Sequence, residues 1–476
     1  MIHDVIVVGA GPAGSSAATF LAQRGVSTLV LDRATFPRDK VCGDGLTPQA
    51  IYWLDRLGCA GDVLSETKGC IKDCDLYING QHLLTGGFPP GTMYPDFAIL
   101  LDRRRFDNIL LATAVRRGAR FEGEQTVRGL DWESDCVRVT ASTRGATVEH
   151  RGRLVLGADG VSSIVSRAIG NTLNDGATAV SLRTYYRDVR CAGSQIKVYF
   201  GRDYFPGYGW LFVDDDGLAN IGLGYAFDTR FPLLPGLRQV FDTFVESELG
   251  PMLTHATRCG PVCGGAASFY RPKSLVDNRV MLIGDAANQA DPLNGGGIHK
   301  AMESACVASD VACDALDLDD CSRTSLGRYE ERWLSQFEVD WRTAELLLAV
   351  AINPALKDVC LFLLAQIGRL TTQSPQFRDF CGGVFSGVLA RDVCLSPRAL
   401  YYAFPKEPGA WRALLAGPHG TTAGSSQLLR QAFASVAGAA KQAASDPLTT
   451  IDWGMDVALR AVQLLDRHIT GTPVLQ

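Results

Sequence analysis

The sequence predicts an α/β fold that combines a Rossmann-like domain, an antiparallel β-sheet domain and a C-terminal helical region. Three observations predict it. A buried strand runs directly into a glycine-rich turn at the start of the chain, alternating strand-like runs fill residues 177–270, and residues 331–400 are helical in pattern and rich in Leu and Ala. With 476 residues and 46% hydrophobic side chains, we expect two or three globular domains.

The composition argues against several classes of protein. Lys and Arg number 46 against 51 Asp and Glu, a net charge of −5, so a nucleic-acid partner is not expected. The 14 cysteines are irregularly spaced without histidine partners, which predicts reduced thiols and no metal site.

No targeting or transmembrane segment is expected either. The chain enters a strand at Asp4–Val8 without a basic leader, and the apolar stretch 346–370 is interrupted by Pro354, Lys357 and Asp358. These features predict a cytoplasmic protein and leave peripheral contact with a membrane surface open.

The opening of the chain carries a dinucleotide-binding motif. The strand Val5–Val8, a GxGxxG turn, a helix over 15–24 and a second strand ending before an acid follow one another within about 30 residues. The glycines permit a tight turn, close approach of a pyrophosphate and close helix packing, and the acid can accept a ribose hydroxyl. The candidate cofactor-binding residues are Gly9, Gly11, Ala13, Gly14, Asp32 and Arg33.

Two later motifs indicate which dinucleotide binds. A second buried strand, Val280–Ile283, ends in Gly-Asp and leads through a glycine-rich turn into a helix from His299 to about Leu316, and a Gly-Ala-Asp-Gly sequence begins at Gly157. Together the motifs resemble the FAD-binding oxidoreductases of the para-hydroxybenzoate hydroxylase fold, in which the Asp of the Gly-Asp motif binds the ribityl chain. The resemblance implies noncovalent FAD held by Asp159, Gly284, Asp285, Pro292, Gly295, Gly296, Gly297 and Ile298.

A fourth element narrows the resemblance. The segment Phe36–Leu46 resembles the signature of the geranylgeranyl reductase branch, and residues 206–212 followed by 220–224 resemble its substrate-sheet motif, with aromatic residues alternating along a strand. The resemblance covers about residues 1–395 and implies a relative of prenyl and menaquinone reductases. It adds Cys42, Gly43 and Arg103 to the cofactor site and implies a lipophilic substrate against Tyr208, Trp210 and Phe212.

The sequence departs from this branch at two places. Val213 stands where the aromatic motif usually continues into Pro, and Gly296 stands where the glycine turn usually carries an acid. Three reactions therefore remain open: reduction of a C=C bond in a polyene or prenyl-like substrate, monooxygenation, and a redox-neutral cyclisation that uses FAD as a scaffold. Reduction is the leading hypothesis, with NAD(P)H considered as a transient electron donor and His299 and Tyr208 as candidate catalytic groups.

The motifs also divide the chain into interleaved segments. Strand-like runs separate the flavin motifs, and helices are expected near 427–444 and 452–468 at the C-terminal end. The predicted domains are FAD-binding over 1–69, 101–176 and 276–330, substrate-binding over 70–100 and 177–275, and helical over 331–476.

Overall fold

The chain folds around two large β-sheets. The computed structural model describes residues 2–172, 176–191, 193–231, 236–373, 375–391 and 443–470, together with positions 434, 438 and 441. Within these residues each large sheet has eight strands, and a small ribbon joins β3 (Gly45–Leu46) to β6 (Ile99–Leu100). The predicted fold class is confirmed.

The first sheet is mostly parallel and forms the Rossmann-like domain. Its order is β17-β18-β10-β1-β2-β7, with β8 and β9 joined antiparallel beyond β10. Its central strands are buried on both faces, as their continuous Val, Ile and Leu runs require. The strands are β1 (Ile2–Val8), β2 (Thr28–Leu31), β7 (Arg120–Glu122), β8 (Thr126–Trp132), β9 (Val137–Thr143), β10 (Ala146–Gly157), β17 (Val276–Asp277) and β18 (Val280–Leu282).

The second sheet has the order β15-β11-β14-β13-β12-β4-β5, with β16 also paired to β11. All neighbours are antiparallel except β12 and β4, which run parallel and are far apart in sequence, as a parallel pair requires. The strands are β4 (Asp73–Ile78), β5 (Gln81–Gly87), β11 (Thr178–Arg187), β12 (Gln195–Phe200), β13 (Gly209–Val213), β14 (Ala219–Phe227), β15 (Thr257–Arg258) and β16 (Cys263–Ser268).

Helices cover both sheets. Against the first sheet, α1 and α8 pack on one another in the largest apolar core, and α6 covers one face of the second sheet. The helices are α1 (Pro12–Ala22), α2 (Pro48–Leu57), α3 (Ala60–Glu66), α4 (Arg103–Arg116), α5 (Ile164–Ala168), α6 (Leu237–Ser247), α7 (Gly250–Leu253), α8 (Ile298–Asp317), α9 (Arg323–Ile352), α10 (Lys357–Gln373), α11 (Pro375–Ser386) and α12 (Pro447–Thr470).

The C-terminal helical region packs on both sheets. Helices α10 and α11 contact β5, and α12 lies along α9. The predicted helix near 452–468 is confirmed as α12, whereas the one near 427–444 lies almost entirely outside the described residues. Among the described helices none is by itself long and apolar enough to cross a membrane; only α9 together with the segment Pro354–Thr372, bent by 85°, reaches that length and composition.

Candidate active site

The sequence motifs meet at one edge of the first sheet. Strands β2, β1, β10 and β18 are parallel neighbours, so their carboxyl ends lie side by side. Gly9 follows β1, Asp32 follows β2, Asp159 lies just beyond β10, and Gly284 lies just beyond β18. The crevice outside the carboxyl ends of such strands is where open α/β sheets bind their ligands.

The glycine-rich loop is shaped by close backbone packing. Gly9 has φ +104, and a Cβ there would lie 2.3 Å from the Ala158 carbonyl oxygen; a Cβ on Gly14 would lie 1.8 Å from the Gly9 carbonyl oxygen. Gly11 is different, because the nearest atom to its Cβ position is Arg38 Nη2 at 3.6 Å. The loop therefore leaves open space at Gly11, before α1, where a helix N-terminus can hold a phosphate.

The two acids beside this loop hold backbone in place. Asp32 accepts the Ala10 N–H on Oδ2 at 2.7 Å and the Ala34 N–H on Oδ1 at 2.8 Å, which leaves further lone pairs for a ribose hydroxyl. Asp159 accepts from Ser163 Oγ and, at 2.7 Å, from the Ile164 N–H at the start of α5, so it orders its own loop. Arg33 is exposed beside Asp32.

Two arginines, one buried and one half-buried, flank the crevice. Arg103 is 4% exposed and donates through Nε and Nη2 to the two carboxylate oxygens of Asp107, each at 2.8 Å. Arg38 donates to the same carboxylate at 2.5 Å and brings its guanidinium beside Gly11. Sequence reasoning missed Arg38, although its place in the signature segment four residues before Cys42 could have indicated it.

The Gly-Asp motif and the second glycine turn face each other. Asp285 lies in a 3-10 turn after β18, its Oδ1 is 3.4 Å from the Cβ position of Gly297, and its Oδ2 is 3.3 Å from Lys40 Nζ. Helix α8 begins at Ile298, directly after Gly297. The positive end of a 20-residue helix thus points toward this part of the crevice, where it stabilises negative charge.

Side chains fix the conformation of the turn 291–297. Asp291 Oδ1 accepts the N–H groups of Leu293 and Asn294, and Asn294 Oδ1 accepts the Gly296 N–H at 2.8 Å. Gly295 adopts φ +69, a left-handed conformation that favours glycine, and Pro292 is buried beneath the turn.

The C-terminal helical region clamps the same turn. Arg391 is 1% exposed and donates to Asp291 at 2.5 Å and to Asp340 on α9 at 2.9 Å. Burial alone would raise the pKa of Asp291, but the Arg391 guanidinium and the backbone donors hold it below its ordinary value. The amide of Asn294 also donates to the Phe385 carbonyl at the end of α11. Sequence reasoning identified none of these contacts.

His299 lies buried behind the turn. It is 3% exposed, and its Nδ1 lies 3.3 Å from Thr47 Oγ1. Burial and the charge of Lys300 lower the pKa of the imidazole to about 3, so the ring is neutral near pH 7. A neutral ring does not favour His299 as a proton donor near pH 7, and its role as a candidate catalytic group stays a prediction.

The three aromatic residues predicted to contact substrate lie on or beside β13. Tyr208 donates its hydroxyl to the Asn294 carbonyl at 2.7 Å, which ties the second sheet to the glycine turn. Burial raises the pKa of this phenol, so it remains a neutral donor. The rings of Trp210 and Phe212 lie along the segment that carries Gly43, whose Cβ position is 2.8 Å from the Phe212 ring.

A buried polar network adjoins this wall of aromatic residues, which is formed by Tyr208, Trp210 and Phe212. Asn220 on β14 accepts the Trp210 indole N–H at 2.9 Å and donates to the Cys42 carbonyl at 2.8 Å and to Asp44 Oδ2 at 2.7 Å. Tyr185 on β11 donates to the same Asp44 oxygen at 2.5 Å. The network joins the substrate sheet to the segment beside the crevice. The sequence motifs include Asp44 and Asn220, but the sequence analysis gave neither residue a role.

The structure thus brings the predicted site residues to one crevice between the two sheets. The exceptions are Arg33, which is exposed, Asp159, whose carboxylate bonds within its own loop, and His299, which is buried behind the turn. Among the described residues, no group of three His, Cys, Asp or Glu side chains is arranged to hold a metal ion. Open space at Gly11, the guanidinium of Arg38 beside it and the helix terminus at Gly297 fit the phosphates and the ring of a bound dinucleotide.

Fold and site together define an FAD-dependent oxidoreductase. The model of a family described as FAD binding domain matches residues 3–205. Among solved structures, a geranylgeranyl bacteriochlorophyll reductase-like protein from Thermoplasma acidophilum superposes with a TM-score of 0.67 at 23% identity, over 87% of this chain and 98% of that one. This likeness shows the fold.

Two curated relatives show the family. The chain is 31% identical over 345 residues to digeranylgeranylglycerophospholipid reductase 1 of Methanococcoides burtonii. This match covers 70% of this chain and 80% of the relative. It is 32% identical over 363 residues to menaquinone reductase of Mycobacterium tuberculosis. This second match covers 72% of this chain and 84% of that relative. The chain belongs to this family of geranylgeranyl and menaquinone reductases.

Proposed function

We propose that the protein reduces a C=C bond in a large, apolar, prenyl-like or polyene substrate. The observation that carries this proposal is a row of aromatic rings beside the flavin turn. Neighbouring ring centroids lie 6.1–6.4 Å apart along the row. Its members, from the signature segment toward the helical region, are Phe212, Trp210, Tyr208, Phe200 and Phe385.

The row suits a long hydrocarbon chain better than a compact polar molecule. Aromatic side chains offer large apolar contact area, and Trp210 keeps its indole N–H paired with Asn220, so its ring turns no unsatisfied donor toward substrate. Gly222 makes room for that ring, because a Cβ there would lie 2.0 Å from it. The two relatives act, by their names, on prenylated lipids, which agrees with such a wall.

FAD supplies a hydride from its reduced N5 atom, and the protein supplies position and charge. Arg38 and the open space at Gly11 would hold the pyrophosphate, Asp285 the ribityl chain, and Gly295–Gly297 with the N-terminus of α8 the ring. Arg391 joins the helical region to the turn through an ion pair that is itself buried from water. We infer that a nicotinamide dinucleotide is the electron donor, bound transiently.

The test uses the FAD-loaded protein, reduced anaerobically and mixed with a geranylgeranylated phospholipid or with menaquinone in detergent. A reductase should reoxidise its flavin in step with substrate loss, and the product should gain two hydrogens. A product that gains one oxygen atom when air is admitted would favour monooxygenation. A product of unchanged mass formed while the flavin stays oxidised would favour redox-neutral cyclisation.

The aromatic wall has its own test. Trp210→Ala should raise the KM for the apolar substrate about tenfold, equivalent to about 1.4 kcal/mol, and leave the Kd for FAD nearly unchanged. Trp132→Ala is the matched control, because Trp132 is 40% exposed on β8 and its indole N–H donates to the Asn278 carbonyl before β18, at the edge of the sheet opposite the crevice. Loss of FAD with retained substrate affinity would place Trp210 in the core instead.

A further inference from the structure

Asp44 is a buried carboxyl group, and one of its oxygens has no hydrogen-bond partner in the part of the chain that the structure describes. It is 4% exposed and adopts φ +66, and its Oδ2 accepts from Tyr185 and Asn220. Its Oδ1 is buried and has no hydrogen-bond partner among the described residues. A buried polar atom without a partner is uncommon and calls for an explanation, such as a bound water, an ion or a catalytic role.

The position of Asp44 relates it to the crevice. Lys40 pairs with Asp285, Cys42 is bound through its carbonyl by Asn220, and Gly43 packs on Phe212. The segment 40–44 therefore runs from the Gly-Asp motif to the aromatic wall, along the side of the crevice where the flavin ring and the substrate would meet. Asp44 lies at the end of this path.

The surroundings leave the Asp44 carboxyl easily protonated. Burial raises its pKa to about 6, although Tyr185, Asn220 and the more distant Arg183 and Arg103 act in the opposite direction. Both arginines are largely neutralised by other carboxylates, Arg183 by Asp39 at 2.9 Å and Arg103 by Asp107 at 2.8 Å. Negative charge added to the crevice would raise the pKa of Asp44 further, because like charge disfavours the carboxylate.

We propose that Asp44 holds, at Oδ1, the proton that accompanies hydride transfer to the substrate. This proposal rests on the proposed reductase function. The substrate π bond breaks, one carbon receives the hydride, and the other receives the proton as the Asp44 O–H bond breaks. Asp44 is left as a carboxylate and takes up a proton from water when a nicotinamide or dithionite next reduces the cofactor.

Other candidate donors in the described part of the site are less suited to this role. His299 is neutral near pH 7, Gly296 has no side chain, and the Tyr208 hydroxyl is committed to the Asn294 carbonyl. Asp44 combines burial, a free oxygen and a position beside the crevice.

The test is the pH dependence of the flavin reduction potential between pH 6 and 8. In a two-electron reduction each proton taken up adds about 30 mV per pH unit to the slope. If Asp44 gains a proton on reduction, the wild-type slope should exceed that of Asp44→Asn by up to about 30 mV per pH unit. Below about pH 6 the two slopes should converge, since Asp44 is then protonated in both states.

Asp75→Asn is the matched control. Asp75 lies on β4, and its pairing with Lys197 holds its pKa below the ordinary value against burial, so it stays ionised throughout this range and its variant should keep the wild-type slope. Equal slopes for wild type and Asp44→Asn would overturn the proposal. Because no substrate is present, that result would leave the reductase function itself unaffected.

A second measurement covers the case in which Asp44→Asn fails to bind FAD. The infrared difference spectrum of the wild-type protein, reduced minus oxidised, should contain the C=O band of a newly protonated carboxyl group. The band should shift when aspartate is labelled with carbon-13 and stay in place when glutamate is labelled. Absence of an aspartate-sensitive band would overturn the proposal.

Discussion

Arg391→Met tests whether the helical region holds the flavin turn in its working shape. Arg391 and Asp291 are 2% and 3% exposed in their side chains and are joined at 2.5 Å, so removal of the guanidinium leaves a buried carboxylate without its cation. Breaking such a pair destabilises proteins by about 3–5 kcal/mol. Two backbone N–H groups still bind Asp291, which places the expected loss near the lower end, about 3 kcal/mol.

The assay is urea unfolding followed together with FAD release. Because a chain of this size need not unfold in one step, the first transition is the relevant one. Arg391→Lys keeps the positive charge but cannot bond both carboxylates in the same geometry, so the free energy of unfolding should fall by about 1.5 kcal/mol. The double variant Arg391→Met/Asp291→Asn should recover part of the loss, since no carboxylate is then left unpaired.

The stability that the Arg391–Asp291 pair contributes depends on pH with a definite sign. The folded-state pKa of Asp291 is lowered, so the pair stabilises the fold above the unfolded pKa of about 3.9 and loses this contribution as the pH falls through the folded value. The difference between wild type and Arg391→Met should therefore shrink below about pH 4. A variant within 0.5 kcal/mol of wild type at pH 7, with unchanged FAD release, would refute the argument (about 0.5 kcal/mol being the usual spread of neutral surface changes).

Three further outcomes are expected. Asp285→Ala should weaken FAD binding about 10- to 150-fold in fluorescence titration of the apoprotein, since a charged acceptor contributes about 1.5–3 kcal/mol; an unchanged Kd would show that Asp285 does not contact the cofactor. Gly296→Glu restores the acid that is usual in the family and should lower stability by about 1–3 kcal/mol without a gain in turnover. Its Cβ would lie 2.8 Å from Asn294 Oδ1 and 2.9 Å from His299 Cε1. Faster turnover would contradict this expectation. Trp210→Phe should destabilise the protein by about 1–3 kcal/mol in urea, since Asn220 Oδ1 loses its buried donor, and a neutral result would show that water replaces it.

The elements that the sequence predicts well are those with a local cause. The strand Val5–Val8, the turn after it and helix α1 follow from apolar runs and glycines that are adjacent in the chain. The Gly-Asp motif at Gly284 likewise marks its own strand end. FAD as cofactor and membership of the reductase family are confirmed, whereas the individual contacts to FAD, the NAD(P)H donor and the cytoplasmic location stay predictions.

The parts that the sequence does not reveal depend on distant segments that meet only in the fold. Nothing near Asp44 in sequence announces Tyr185 or Asn220, which come from two strands more than 140 residues later. Nor does the environment of His299 follow from its place after a glycine turn, since its neutrality depends on burial under neighbouring elements. A motif can identify a titratable residue, but its charge state can be predicted only when the groups that surround it in the fold are known.

The order of strands in the first sheet has a consequence for how the protein is made. Strand β1 pairs with β10, and β10 pairs with β18, so β10 lacks its parallel neighbour β18 until Leu282 has left the ribosome. The turn 291–297 completes the crevice, and its ion pair with Arg391 cannot form until that residue has been synthesised. Pairing across such distances in sequence is slow and leaves apolar edges exposed in the meantime. Cofactor capture should therefore be a late event in biogenesis, and ribosome-bound chains that end before Arg391 should retain little FAD.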